Sequence, residues 1–356
     1  MKLKFPYRSF CICNLYFFLI LNNTKAQKGL FDSDEVINIK LKGSLQVLLN
    51  NRSSEPKYFT LLLCVYDKDS NQLEIPVQVK TRGHFRRIEE NCLYPPLLIK
   101  FSNNGQQKSS IFKEQKKIKL VMPCTDDEYI IREWLVYKIY NLLTSKSFRV
   151  RLIRLSLVDE LRSKTVLHFF SLLLEDEKQM AKRNKMIALE QKLKPQQLQY
   201  DEFLLMAIFQ YLIGNTDWSV QYLQNIKLIA ENAMLSPIAV PYDFDQAGIV
   251  DAPYAKPAEE LKMSSTRDRR YRGYCPQDLH SFITVLEKFK NKKGDIYDLY
   301  SGCTLLPSRY KKSTIHFLDK FYETINNDKK WQKAFAYPCD KKGTGNVVIK
   351  GLKVDN

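Results

Sequence analysis

Four side chains in the second half of the chain, Asp217, Asn225, Asp243 and Asp245, have the types and the order that phosphoryl transfer requires. Such a site needs little covalent work from the protein: a loop carboxylate orients or deprotonates the acceptor hydroxyl, and an amide and a later carboxylate hold a divalent cation on the phosphates. Hard oxygen donors suit magnesium, which keeps several waters and takes only one or two protein carboxylates. Here Asp217 follows a helix expected over 201–213 and stopped by Gly214. Asn225 opens a strand expected over 225–229, and Asp243 and Asp245 follow a strand expected over 237–242. Asp217 is read as the catalytic group, and Asn225, Asp243 and Asp245 as the metal ligands.

The first half has to supply the groups that meet the phosphates. Short apolar and alternating runs from Val36 to Phe101, among them 58–65, 75–79 and 96–101, predict strands, with a further strand at 117–122. Thr125-Asp126-Asp127-Glu128 resembles a capping box, and Ile131, Leu135, Ile139 and Leu142 follow at helical spacing. Lys100 and Lys119, on strands before that helix, are both candidates to neutralise nucleotide phosphates, and Glu133 on the helix is the expected partner of the lysine. Arg82, in the Arg-rich turn with Arg86 and Arg87, is a further phosphate contact. Strands at 151–158 and 165–174 follow, and Glu175 stands where a hinge would present backbone groups to an adenine ring. Residues 175–200, charged and Gln-rich, read as a connection or a solvated helix. Helical spacing returns at 278–290 and 308–325. This order predicts an α+β, two-lobed fold: a β-rich first lobe over 27–176, a mainly helical second lobe over 177–340, a ligand cleft between them, and a tail over 341–356.

Composition sets the outer bounds. The 356 residues carry 56 Lys and Arg against 39 Asp and Glu, a net charge of +17, which calls for an anionic partner. Hydrophobic residues at 44% exclude wholesale disorder. With four His and no HExxH spacing, a zinc hydrolase has no support. Nor is nucleic acid an expected partner, because the aromatic residues form no recognisable stacking platform.

Residues 1–26 have a basic start, an apolar run from Phe10 to Leu21 and small residues before a cleavage point at Ala26, the pattern of an export signal. No later segment is apolar enough to span a bilayer, so the mature chain is expected to be exported: periplasmic, cell-surface or secreted. Removing Cys11 and Cys13 with the signal leaves six cysteines, for which Cys92 with Cys124 and Cys275 with Cys303 are the first pairings to test. The four arginines of the 267–272 segment, with Tyr271 and Tyr274, form either a site for an acidic substrate or an exposed solvating loop.

Arg82-Gly83-His84, the strand 97–101, the block 119–143 containing Arg132, the strand ending Leu174-Glu175, the loop Gly214-Asn215-Thr216-Asp217-Trp218 and the segment Pro241-Tyr242-Asp243-Phe244-Asp245 together resemble the CotH family of secreted atypical protein kinases. The likeness spans roughly residues 78–255, about half the chain. It implies a kinase-like fold, ATP with Mg2+ or Mn2+, and transfer of the γ-phosphate to serine, or a related hydroxyl, of a protein or surface acceptor. It also implies Asp217 as the catalytic-loop aspartate and one of Asp243 or Asp245 as the metal ligand. Two departures stand out. Gly83 is alone where kinases carry a glycine-rich loop, with His84 and Phe85 after it, and Asp245 stands where they place glycine. An inactive, pseudokinase-like or polyanion-binding envelope or surface protein is the alternative reading.

Overall fold

A computed structural model of the chain describes residues 29–66, 70–102, 105–160 and 166–340. The export signal expected over 1–26 and the tail expected over 341–356 lie outside the described residues.

Strands β1 (Ile37–Gly43), β2 (Phe59–Tyr66), β3 (Gln72–Thr81), β4 (Leu97–Phe101), β5 (Lys117–Val121), β6 (Val150–Asp159) and β7 (Val166–Leu174) close into a barrel of order β1-β2-β3-β4-β5-β7-β6. All neighbours are antiparallel except β1 and β6, which run parallel from Ile37 opposite Ile153 to Gly43 opposite Asp159. Period-2 alternation explains the interior: Ile75, Val77 and Val79 of β3, Leu97 and Ile99 of β4, and Ile118 and Leu120 of β5 all point into one apolar core. Two short helices, α1 (Leu45–Asn50) and α2 (Gly105–Lys108), pack against β3. Over residues 150–153 and 171–174, β6 and β7 are buried on both faces. Leu155 and Leu173 fill the barrel, whereas Leu152, Leu172 and Leu174 belong to a second core outside it.

That second core is built by helices. Helix α3 (Glu128–Leu143) lies on β6 and β7, and α5 (Tyr200–Ile213) is buried along Phe203–Ile213. Helices α6 (Leu279–Asn291), α7 (Lys293–Ser301), α8 (Ser308–Ile325) and α9 (Asp328–Phe335) complete it, with Trp331 and Phe335 of α9 in the apolar cluster. The region expected to be a connection or a solvated helix does form a largely solvent-facing helix, α4 (Glu177–Arg183), but then adds a strand, β8 (Ile187–Leu189). Strand β8 joins β9 (Ile226–Ala230) and β10 (Ile238–Pro241) in a three-stranded antiparallel sheet of order β10-β9-β8.

The two-lobed kinase-like fold with a helical second lobe is therefore corrected to a closed seven-stranded mixed barrel with a smaller sheet and helices around it. Alternation marks which residues face a core, but it does not say whether a sheet has free edges. Closure here comes from β1 pairing with β6, more than a hundred residues later. A single core then joins the outer wall of the barrel to the helices, so the apolar packing does not divide where the sequence texture changes.

Two smaller expectations also change. Helix α3 has no capping-box bond: the Glu128 N–H donates to Asp126 Oδ1 at 2.8 Å, while Asp127 Oδ2 accepts from the Phe170 N–H of β7. Cys92 is bonded to Cys124 as expected, but Cys275 is bonded to Cys339 and not to Cys303, which is a buried thiol like Cys64. A short turn over Tyr337–Cys339, just after α9, carries Cys339 to Cys275 with their Cα atoms 4.9 Å apart. Two disulfides suit an oxidising compartment, and among the described residues no helix is long and apolar enough to cross a membrane.

Candidate functional site

Helix α5 ends at Gly214 with φ +68°, a left-handed turn that closes the last carbonyls through its N–H. A side chain there would also press on the Thr266 carbonyl and the Phe317 ring, at 3.0 and 3.1 Å. The next residue locks the loop: Asn215 Oδ1 accepts from the Asp217 N–H at 3.0 Å, and Asn215 Nδ2 donates to the buried Gln210 at 3.0 Å. Arg272 donates to the carbonyls of Thr216 and Trp218, each at 2.8 Å, on either side of Asp217. The Asp217 carboxylate is thus held on a braced loop. Its Oδ2 accepts from Asn225 Nδ2 at 2.9 Å, and its Oδ1 accepts from Gln224 Nε2.

The β9–β10 hairpin delivers the other acids. Ile226 pairs with Pro241, and Tyr242 N–H donates to the Asn225 carbonyl at 3.0 Å, so Asn225 and Asp243 leave the same end of the ladder. Asp243 has φ +63°. The face of α3 that bears Glu133 and Tyr137 holds this unusual backbone: Tyr137 Oη accepts from the Asp243 N–H at 2.9 Å, and Glu133 Oε1 from the Phe244 N–H at 3.3 Å. Phe244 is clamped edge-on between Tyr137 and Phe209, with centroids 4.7 and 5.5 Å away. Asp243 and Asp245, flanking that anchor, both reach a cavity of about 360 Å³.

Asp217, Asn225, Asp243, Asp245 and Arg82 all line that cavity. Lys119 does not: it is half-buried on the outer barrel wall above the rings of Tyr242 and Phe148, at 4.7 and 5.9 Å, and burial, then Arg82, pushes its ammonium down to about 7. Glu133 sits behind the cavity and forms no ion pair with a lysine among the described residues. Lys100 is exposed on the outer face of β4, in a different groove. Glu175 is fully buried and satisfied by Arg149 and Arg183, each at 3.1 Å, which makes it a structural hub. The arginines of the 267–272 segment are likewise occupied: Arg269 donates to Leu212 and Phe317 carbonyls, and Arg267 pairs with Asp251 at 3.2 Å.

Arg86 shares the Arg-rich turn with Arg82 and lines the same cavity, but from a buried position. It is buried, donates to the Met122 carbonyl at 2.6 Å, and stands 3.9 Å from Asp245. Burial pushes the guanidinium down, but Tyr254, Asp245, Glu133 and Asp243 outweigh it and hold Arg86 firmly charged. Tyr137 and Gln224 are site residues that the order of motifs does not single out. The four-residue spacing of Tyr137 from Glu133 is the signal that points to the first.

The cluster is short of positive charge. Burial, then Asp245 and Asp243, pushes Asp217 up to about 7. Burial, then Asp243, pushes Asp245 up to about 6 despite Arg86. Burial, then Asp243 and Asp245, pushes Glu133 up to about 8. Among the described residues no three acidic, His or Cys side chains converge tightly enough to hold a metal ion unaided.

These shifts set a pH dependence. Between the ordinary value of Glu133, 4.5, and about 8 the folded chain binds more protons than the unfolded chain, so rising pH removes stability across that window. Glu133→Gln keeps an acceptor for Phe244 N–H and should flatten this part of the slope in urea titrations at pH 5 to 8. An unchanged slope would contradict the burial argument.

Comparison of the sequence with protein-family profiles and with curated proteins finds no match, so neither places the chain in the family its motifs resemble.

Proposed function

We propose that this protein is an exported phosphotransferase that moves the γ-phosphoryl group of ATP to a hydroxyl of a protein or surface acceptor. The observation that carries this reading is the convergence of Asp217, Asn225, Asp243 and Asp245 on one cavity whose rim also bears Arg82. An acidic wall facing a cationic rim is what a metal-bound polyphosphate requires. The motif likeness to the CotH family supports the same chemistry; a reaction class is not tied to one fold.

The donor set fits a hard divalent cation. Burial, and then the neighbouring carboxylates, lift Asp217 and Asp245, and a cation would relieve the second of these causes. Asp243 and Asp245, with the amide oxygen of Asn225, would hold magnesium or manganese, and phosphate oxygens and waters would complete its shell. When bound, the cation neutralises charge that develops on the phosphoryl oxygens. Asp217, fixed by the amides of Gln224 and Asn225, accepts the proton of the acceptor hydroxyl. That oxygen attacks the γ-phosphorus, the bond to the bridging oxygen breaks, and ADP leaves with that oxygen's electron pair. Arg82 grips the transferred group at the rim.

Thermal unfolding with ATP, with and without Mg2+ or Mn2+, tests this reading. At a hundred times the dissociation constant the ligand should stabilise by about 2.7 kcal/mol. The shift should need the metal and vanish in the double variant Asp243→Asn, Asp245→Asn. A folded sample with no shift rejects the nucleotide site. A shift without phosphate transfer to any acceptor leaves the inactive, binding-only alternative.

A further inference from the structure

On the outer face of β4 and β5 lies a second, larger groove of about 1240 Å³, lined by eight Lys or Arg against three acidic residues. Two of the acids are already engaged: Asp176 pairs with Lys117 at 3.1 Å, and Asp32 with Arg149 at 3.2 Å. Arg149 and Arg183 are further committed to Glu175. Lys100, Lys116, Lys178 and Lys182 are exposed and have no acidic partner among the described residues.

Stability does not explain this arrangement. Lys100 lies directly opposite Lys117 across the β4–β5 ladder, on the outer face, where like charges repel. Lys178 and Lys182 stand four residues apart on α4, another repulsive spacing. Only Lys117 of these four is offset by an ion pair. Lys100 of β4, Lys116 and Lys117 where β5 begins, and Lys178 and Lys182 of α4 line this one groove, an array complementary to a linear, evenly charged anion.

We propose that this groove binds a linear acidic polysaccharide, independently of the Asp217 cavity. A polysaccharide is favoured over nucleic acid because Tyr58 is the one exposed aromatic residue lining the trough, whereas a single strand requires successive stacking platforms. The two disulfides suit a compartment in which anionic glycans are the polyanions at hand. A concave trough also suits a chain better than a flat bilayer.

The test measures affinity of the full chain for a heparin-derived oligosaccharide of defined length across a salt series. It compares the wild type with Lys100→Gln plus Lys116→Gln, with Lys178→Gln plus Lys182→Gln, and with Lys329→Gln plus Lys330→Gln on the exposed part of α9 as a charge-matched control. Each groove pair should lose affinity about tenfold or more and lower the salt slope by roughly two, as counterion release predicts, and the control should change little. Because all four groove lysines are exposed, melting temperatures should stay at or above that of the wild type. Absence of binding, an equal loss in the control, or a loss confined to one groove pair overturns the proposal. So does a single-stranded oligonucleotide of equal charge that binds as tightly through the same lysines.

Discussion

Asp217→Asn should lower phosphoryl transfer by about 10² to 10⁴ while leaving the fold intact, the range expected for loss of a positioned general base. The substituted side chain is nearly isosteric and the loop is braced independently, by Asn215 on one side and Arg272 on the other. What is lost is the proton acceptor. Stability should move the other way. Burial raises the folded carboxyl to about 7 from its ordinary 3.8, so folding carries a growing cost as pH rises through that window. At pH 8 and without metal, the amide variant should therefore melt at or above the wild-type temperature. Loss of turnover with retained nucleotide-dependent stabilisation would assign Asp217 to chemistry, whereas full turnover in the variant would remove it from the mechanism.

Arg86→Met should be among the most destabilising single changes in the barrel, at about 3–5 kcal/mol, the usual cost of stripping the partner from a buried charge. Arg86 and Asp245 each retain only 8% side-chain exposure at a separation of 3.9 Å, so water cannot replace the guanidinium. Its removal also orphans the Met122 carbonyl and leaves Asp245 and Glu133 beside Asp243 without their counter-charge. The measurement is urea unfolding at pH 7.5, with Asp245→Asn alone and combined with Arg86→Met as the internal check, because Asp245 is ionised at that pH whereas Glu133 is already largely protonated. If the loss is electrostatic, the second change should recover part of it. A double variant as unstable as Arg86→Met alone would place the effect in packing of the Phe85–Arg87 turn instead.

The two results would separate roles that look alike in one dimension. Arg82 and Arg86 are four residues apart in a single basic turn and both line the cavity, yet Arg82 is partly exposed and Arg86 is buried against Asp245. Glu133 and Glu175 are both buried acids, the first on α3 behind the cavity and the second away from it, just after β7. The first reads the backbone of Phe244 and the second cements Arg149 to Arg183.

Local pattern determined a good deal. Gly214 as a helix stop, the polar loop behind it, the β9–β10 hairpin and the helices near 278–290 and 308–325 are all written in spacing and in turn chemistry, because each is settled by residues within a few positions of one another. The same locality makes the order Asp217, Asn225, Asp243, Asp245 legible along the chain itself. Tertiary structure alone decided that β1 returns to close the barrel against β6, that Cys275 meets Cys339, that residues 187–189 add a third strand, and that Lys100 and Glu175 stand away from the cavity while Arg86 is buried in its wall. Periodicity records which face of an element is buried. It carries no information about which distant element buries it, because that choice is made by chain closure and by the fit of two apolar surfaces.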